Sequence, residues 1–88
     1  MTLKIEQISG KRRARIRLSG GFRVEHIDQV KSEIERCEAH VALDLEEVDL
    51  VDVEAVRFLN ACQSEGIRML HCAAYIREWM LRERGHSS

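Results

Sequence analysis

Eighty-eight residues, 44% hydrophobic and 33% charged, describe one small globular domain that is too short for a second hydrophobic core. A formal net charge of −1 excludes a strongly basic nucleic-acid arm and an acidic tail as descriptions of the whole chain. The charges are nevertheless segregated: residues 1–23 carry seven basic side chains against one acidic, residues 24–54 carry two against eleven, and residues 55–88 carry five against three.

Two short alternating runs open the chain and predict a β-hairpin. Residues 3–8 and 13–18 alternate apolar with polar side chains across a polar turn that contains Gly10. We expect Gly20-Gly21 to break the chain after the second run. That run places three basic side chains on the face opposite its apolar residues: Arg13, Arg15 and Arg17.

From about residue 23, apolar residues recur every three or four positions instead of every two. Residues 23–37 show the stripe of an amphipathic helix. Residues 41–45, Val-Ala-Leu-Asp-Leu, are short and mostly apolar, which predicts a strand covered on both faces. A solvated acidic loop is expected between this strand and the next helix. The acidic stretch comprises Asp44, Glu46, Glu47, Asp49, Asp52 and Glu54.

Two helices and a strand complete the predicted domain. Asp52 is a favoured N-cap for the second helix, and Gly66 is a credible residue just beyond its end. Residues 67–72 predict a strand, and residues 73–84 predict a third helix that ends at Gly85. We expect a single domain over residues 1–85 and a frayed tail over residues 86–88.

The order β-β-α-β-α-β-α predicts an α/β fold with a mixed four-stranded sheet and three helices. The strand–helix–strand units favour parallel pairing, and the opening hairpin adds an antiparallel edge. The three cysteines show no disulfide framework, which indicates a reducing compartment. The alternating N-terminus and the lack of any 18-residue apolar stretch predict a cytoplasmic protein without membrane insertion.

Patterns that would carry catalytic, metal or cofactor chemistry are weak. Residues 19–22, Ser-Gly-Gly-Phe, lack the third glycine or the lysine of a phosphate-binding loop. On a strand, His71 and Cys72 would point to opposite faces, and the acidic stretch has no glycine for a calcium loop. We therefore expect no enzyme, no cofactor and no metal. The arginines of the hairpin could follow a phosphate backbone, but no aromatic side chains accompany them, so nucleic acid is not the expected partner.

Residues 41–56, Val-Ala-Leu-Asp-Leu-Glu-Glu-Val-Asp-Leu-Val-Asp-Val-Glu-Ala-Val, resemble the STAS domain of bacterial anti-sigma factor antagonists. That family has an apolar strand ending in Leu-Asp-Leu, a short apolar turn, and Asp-Ser-Ser/Thr-Gly-Leu at the start of a helix. The predicted element order agrees over nearly the whole chain. The resemblance implies a STAS-like (SpoIIAA-like) fold and a part in signalling and transcription regulation through a protein partner.

The departures from the family pattern fall on its phosphorylation site. Asp52 matches the family aspartate, but Val53 and Glu54 replace the two hydroxyl residues and Ala55 replaces the glycine. The second hydroxyl is the one that a partner kinase phosphorylates in the family, and here Glu54 cannot accept a phosphate. Three interpretations of Glu54 stay open: a charge that stabilises the helix start, an imitation of the phosphorylated state, and a site that has drifted with a change of partner.

The leading hypothesis is a non-catalytic regulatory module that binds a protein partner. The resemblance implies an anti-sigma factor or another ATPase-fold regulator as that partner, and it leaves a homodimer open. The alternative is a small STAS subunit of a larger assembly, such as a lipid-transporting ABC complex with its ABC ATPase or a stress-signalling scaffold. The expected partner-binding residues are Asp49, Leu50, Val51, Asp52, Val53, Glu54 and Arg57.

Overall fold

A computed structural model describes residues 3–10, 12–37 and 40–86 of the protein. A single 3-10 turn (Val24–His26) precedes the first helix. The strands and helices, in chain order, are β1 (Lys4–Ser9), β2 (Arg13–Phe22), α1 (Ile27–Arg36), β3 (His40–Val51), α2 (Val53–Ser64), β4 (Arg68–Leu70) and α3 (Ala74–His86).

The four strands form one mixed sheet in the order β1-β2-β3-β4. Strand β1 runs antiparallel to β2, whereas β2 with β3 and β3 with β4 are parallel pairs. The predicted mixed sheet and element order are thereby confirmed. One face of the sheet packs with the buried side chains of all three helices in a single core, which includes Ile16, Leu43, Val30, Leu59 and Ile76. The other face of β2 carries the arginines of the hairpin.

Strand β3 is longer than predicted, and the prediction of a solvated acidic loop after residue 45 is wrong because the strand continues to Val51. From the pair Arg17–Asp44 to the pair Phe22–Val51, β2 advances five residues while β3 advances seven. Two register shifts accommodate the two extra residues in β3, as β-bulges do. Because of them, the core-facing side chains of β3 recur at steps of three residues, not two, from Leu45 onward. These side chains are Leu45, Val48 and Val51.

The predicted chain break at Gly20-Gly21 is also wrong, since β2 continues through both glycines to Phe22. Gly20 has φ of 98° and lies at the second register shift, where glycine adopts the left-handed backbone without a Cβ penalty. Phe22 is fully buried and meets Phe58 of α2 edge to face, with ring centroids 5.9 Å apart. The strand extension therefore anchors the end of β2 in the core.

The two glycines predicted to stop helices differ in the structure. Gly66, with φ of 93°, donates its N–H to the Gln63 carbonyl, and Ile67 donates to the Cys62 carbonyl, which together close α2 in a Schellman motif. Gly85, in contrast, does not end α3, which reaches His86. A single glycine costs a helix only about 1 kcal/mol relative to alanine, so it does not have to terminate one.

Strand β4 is shorter than predicted because the chain turns at His71, whose φ is 55°. The premise that His71 and Cys72 alternate on a strand is therefore wrong. Residues 87–88 of the predicted tail lie outside the described residues. Among the described residues, no helix combines the length and the apolar character needed to span a membrane.

Candidate docking surface at the end of strand β3

The seven predicted partner-binding residues lie where β3 ends and α2 begins, and we call residues 49–54 with Arg57 the docking surface. Asp49, Leu50, Glu54 and Arg57 are exposed. The side chain of Val51, by contrast, belongs to the core and is only 5% exposed. Asp52 and Val53 are half-buried. A partner could thus reach six of the seven side chains at least in part, while Val51 holds the strand end in place.

The Asp52 carboxylate fixes the geometry of this surface. Its Oδ1 accepts the Ala55 N–H at 2.9 Å, which confirms the predicted N-cap. Its Oδ2 accepts the Val24 N–H at 2.8 Å, a bond to a residue 28 positions earlier in the chain. One side chain therefore caps α2 and ties the segment after β2 to the helix start. Sequence reasoning identified the local bond and missed the distant one.

Glu54 lies in the first turn of α2, where its charge interacts favourably with the helix dipole. Its Oε1 accepts a hydrogen bond from Arg57 Nη1 at 3.2 Å. Arg57 Nε in turn donates to Oε1 of Glu83 on α3 at 3.0 Å. The hydrogen bond and charge of Glu83, together with Glu54, raise the pKa of Arg57 above its usual value. The negative charge at the phosphosite-equivalent position therefore faces a cation that links α2 to α3.

Exposed apolar side chains accompany the acidic ones. Leu50 is 42% exposed and pairs with Gly21 of β2, while Val24 is 54% exposed and is tied to Asp52 through its N–H. Tyr75, at the start of α3, is 46% exposed and donates its hydroxyl to the Asp49 carbonyl at 2.9 Å. Val24 and Tyr75 are far away in sequence, so no local pattern predicted their place beside the docking surface.

A second cluster of ionisable groups surrounds the buried carboxylate of Asp44. Oδ1 of Asp44 accepts the Glu46 N–H at 3.1 Å and lies 3.1 Å from His71 Nδ1, while Oδ2 lies 3.8 Å from Arg17 Nε. Burial alone would raise the pKa of Asp44, but the Glu46 N–H, His71 and Arg17 outweigh it, and the pKa is lowered.

Asp44, Glu46 and His71 could each offer one metal-ligating atom, and these atoms lie within 4.8 Å of one another. Sequence reasoning did not bring them together, because His71 is 27 residues from Asp44. The guanidinium of Arg17 already faces the same carboxylate, and its positive charge opposes a second cation there. We interpret the cluster as a set of polar contacts around Asp44, with Arg17 as its cation.

All three cysteines are free thiols. Cys62 is buried, and its burial, with a smaller effect of Glu65, raises its pKa to about 11. Burial also raises the pKa of Cys72. Since the thiolate is the nucleophilic form, these two side chains are poorly suited to covalent chemistry.

Comparison with solved structures shows that the fold is STAS-like. An antisigma-factor antagonist STAS domain from Rhodobacter sphaeroides has a TM-score of 0.63 and 18% identity, over 78% of this chain and 86% of that one. The anti-sigma factor antagonist SpoIIAA in its unphosphorylated form has a TM-score of 0.63 and 14% identity, over 88% of this chain and 79% of that one. An uncharacterized protein from Shewanella loihica with a SpoIIAA-like fold has a TM-score of 0.55 and 15% identity, over 96% of this chain and 78% of that one.

The similarity is structural, since no protein-family model and no curated protein sequence matches the chain. TM-scores of 0.55–0.63 establish the fold, whereas identities of 14–18% leave the partner and the activity to be argued from the residues of this chain. The predicted STAS-like (SpoIIAA-like) fold is confirmed.

Proposed function

We propose that the protein is a non-catalytic regulatory module that binds a protein partner through the docking surface. The observation that carries the proposal is the combination of exposed apolar and acidic side chains at the junction of β3 and α2. Specific interfaces typically place apolar and aromatic anchors at their centre and charged groups around them. Leu50, Val24 and Tyr75 can supply the anchors, and Asp49 and Glu54 can supply part of the charged rim.

The charge of this region favours a partner with a basic surface. Residues 24–54 carry eleven acidic side chains against two basic ones. Complementary charge raises the association rate and orients the partner, and its effect weakens as salt screens the charges. Two of the structural neighbours are named anti-sigma factor antagonists, and an anti-sigma factor or another ATPase-fold regulator is accordingly the partner class that we propose.

Regulation by phosphorylation at the family site has no acceptor in this chain. No serine, threonine or tyrosine lies between Ser32 and Ser64. Glu54 carries a permanent charge, and its pairing with Arg57 makes it a weaker imitation of a phosphoserine, which carries about −1.5 to −2 charges. We infer that phosphorylation at position 54 does not switch partner binding on or off. Binding is then controlled by other means, for example by the amount of protein in the cell.

The test begins with affinity capture from the native host, followed by binding measurements on the identified partner at two salt concentrations. Asp49→Lys and Glu54→Lys should each weaken binding about tenfold at low salt and less at high salt. Leu50→Ser should also weaken it about tenfold, because it removes a central apolar contact.

Two matched controls lie on α3, outside the docking surface. Glu78→Lys makes the same charge reversal at an exposed position, and Leu81→Ser removes an apolar side chain that is 59% exposed. Both should leave the affinity unchanged. If the controls weaken binding as much as the docking-surface variants do, the surface is misplaced. If the captured partner is a membrane-associated ABC ATPase, the protein is better described as a small subunit of a larger assembly than as a module that binds an anti-sigma factor.

A further inference from the structure

The face of the sheet opposite the core contains a cavity of about 540 Å³. It lies at the N-terminal ends of the three parallel strands, since its lining includes their first residues, Arg13 of β2, His40 of β3 and Arg68 of β4. The docking surface lies at the opposite end of β3: Ala42 pairs with Arg15 and Leu50 with Gly21, and the six steps between these partners along β2 span roughly 20 Å at about 3.3 Å per residue. The cavity is therefore a separate feature of the molecule.

Three arginines line this cavity. Arg15 and Arg68 are both register partners of Ala42, on either side of it, so their Cα atoms are roughly 10 Å apart. Arg13 lies two residues before Arg15 and hence on the same face of β2. We call Arg13, Arg15 and Arg68 with the cavity between them the arginine basin.

The three arginines of the basin form no ion pair within the described part of the chain. No described carboxylate lines the cavity or lies within 4.0 Å of the three guanidiniums. The next arginine along β2, Arg17, differs in this respect because it faces Asp44. Like charges held together repel each other, and an oxyanion that binds between them relieves that repulsion.

Apolar side chains flank the guanidiniums. Ile8, which is 44% exposed, and the half-buried Ala42 and Leu70 line the same cavity. Ligand sites of a few hundred Å³ typically combine such apolar walls with a few convergent polar groups. The basin thus offers two kinds of contact side by side, one to an anion and one to an apolar body.

We propose that the arginine basin binds a small organic phosphate, with the phosphate between the guanidiniums and the apolar part against the neighbouring Leu70. A phosphate monoester carries up to two charges and three terminal oxygens, and the planar fork of arginine binds two such oxygens at once. Several guanidiniums around one group match a phosphate better than a carboxylate, which has two oxygens and one charge.

A nucleic-acid strand fits the basin less well. Such surfaces usually extend along a phosphate backbone and interleave aromatic side chains with the basic ones. The described lining of this cavity contains no phenylalanine, tyrosine or tryptophan, and its three arginines lie on two different strands, β2 and β4.

The test is a titration of the protein with phenyl phosphate, in which binding is measured by backbone amide NMR and by calorimetry. Saturable binding should shift the amides of residues 13–16, 40–43 and 68–70 and leave those of the docking surface unmoved. Inorganic phosphate should bind at the same residues but more weakly, because it lacks the apolar body. Benzoate should also bind more weakly. Phenol, which has the ring without the anion, should not bind there.

Variants Arg15→Gln and Arg68→Gln should each weaken phenyl phosphate binding about tenfold, the usual effect of losing a charge-assisted contact. Arg82→Gln on α3 makes the same charge change at an exposed residue outside the basin and should leave the affinity unchanged.

Three results would overturn the proposal. One is an absence of saturable binding while the amide spectrum shows a folded protein. Another is an equal loss of affinity in Arg82→Gln, which would indicate nonspecific charge attraction. The third is a single-stranded oligonucleotide that binds more tightly than phenyl phosphate and shifts amides as far as Arg23, which would indicate a nucleic-acid surface.

Discussion

Arg17 and Asp44 are register partners on β2 and β3, and Arg17 Nε lies 3.8 Å from Asp44 Oδ2. The Asp44 side chain is about 1% exposed, while that of Arg17 is 34% exposed. A half-buried cation thus lies beside a buried anion on the face of the sheet opposite the core. Neither Asp44 Oδ2 nor Arg17 Nε makes a hydrogen bond among the described residues, so the contact between these two atoms is a charge pair without a hydrogen bond.

Replacing Arg17 should destabilise the fold, because it removes a cation that lies beside a buried carboxylate. We expect Arg17→Met to lower the free energy of unfolding by about 1–2 kcal/mol, measured by urea denaturation at pH 7. Loss of one partner from a fully buried pair costs about 3–5 kcal/mol, but here Arg17 is partly solvated and Asp44 keeps the Glu46 N–H and His71. Arg82→Met is the matched control, with an expected change below about 0.5 kcal/mol. Equal stability of the two variants would contradict the role of Arg17.

The lowered pKa of Asp44 predicts a specific loss of stability in acid. A carboxyl group whose pKa is lower in the folded than in the unfolded state stabilises the fold above its unfolded pKa, and that contribution is lost as the pH falls through the folded pKa. For Asp44 the loss should occur below pH 3.8, its ordinary value. Urea denaturation of wild type and Asp44→Asn between pH 2 and pH 7 measures it. The difference in stability between them should shrink below pH 3.8, and a constant difference would rule out this contribution of Asp44.

The parts of the fold that could be predicted depend on residues close in sequence. The cap at Asp52 and the stop at Gly66 each require a side chain or a φ angle at one position, and both are found where expected. The second half of β3 could not be predicted, because its three-residue spacing faces the core only through two register shifts against β2. A bulge depends on the partner strand, which an alternation pattern in one strand does not describe.

The same distinction applies to the candidate site. The segment from Asp49 to Arg57 was found through the family resemblance, whereas Val24 and Tyr75 join it through contacts with residues 28 and 26 positions away. Arg68 joins the arginines of the hairpin because β3 separates β2 from β4 by one strand. Side chains that meet across a sheet carry no signature in any short window, so only the topology reveals them.

Asp52 should contribute more to stability than an N-cap alone, because it also holds Val24. We expect Asp52→Ala to lower the free energy of unfolding by about 2 kcal/mol, at the upper end of the usual effect of losing a cap. Asp52→Ser retains a hydroxyl that can cap α2 but cannot reach both backbone N–H groups as a carboxylate does. It should lose about 1 kcal/mol, again measured by urea denaturation. If the serine variant is as stable as wild type, the bond to Val24 contributes little.

The thiols should differ in reactivity according to burial. At pH 8 a thiol with a pKa of about 11 is only about 0.1% thiolate, and Cys62 is also covered by the core. Cys37 is half-buried, and its Sγ donates to the Glu33 carbonyl at the end of α1. We expect iodoacetamide to alkylate Cys37 well before Cys62 in the folded protein. Mass spectrometry of peptides measures the two alkylation rates. In 6 M guanidinium chloride the two rates should become similar, because unfolding exposes both thiols. Alkylation of Cys62 at the rate of Cys37 without denaturant would mean that α2 opens readily from the sheet, which contradicts the packing around Val56 and Leu59.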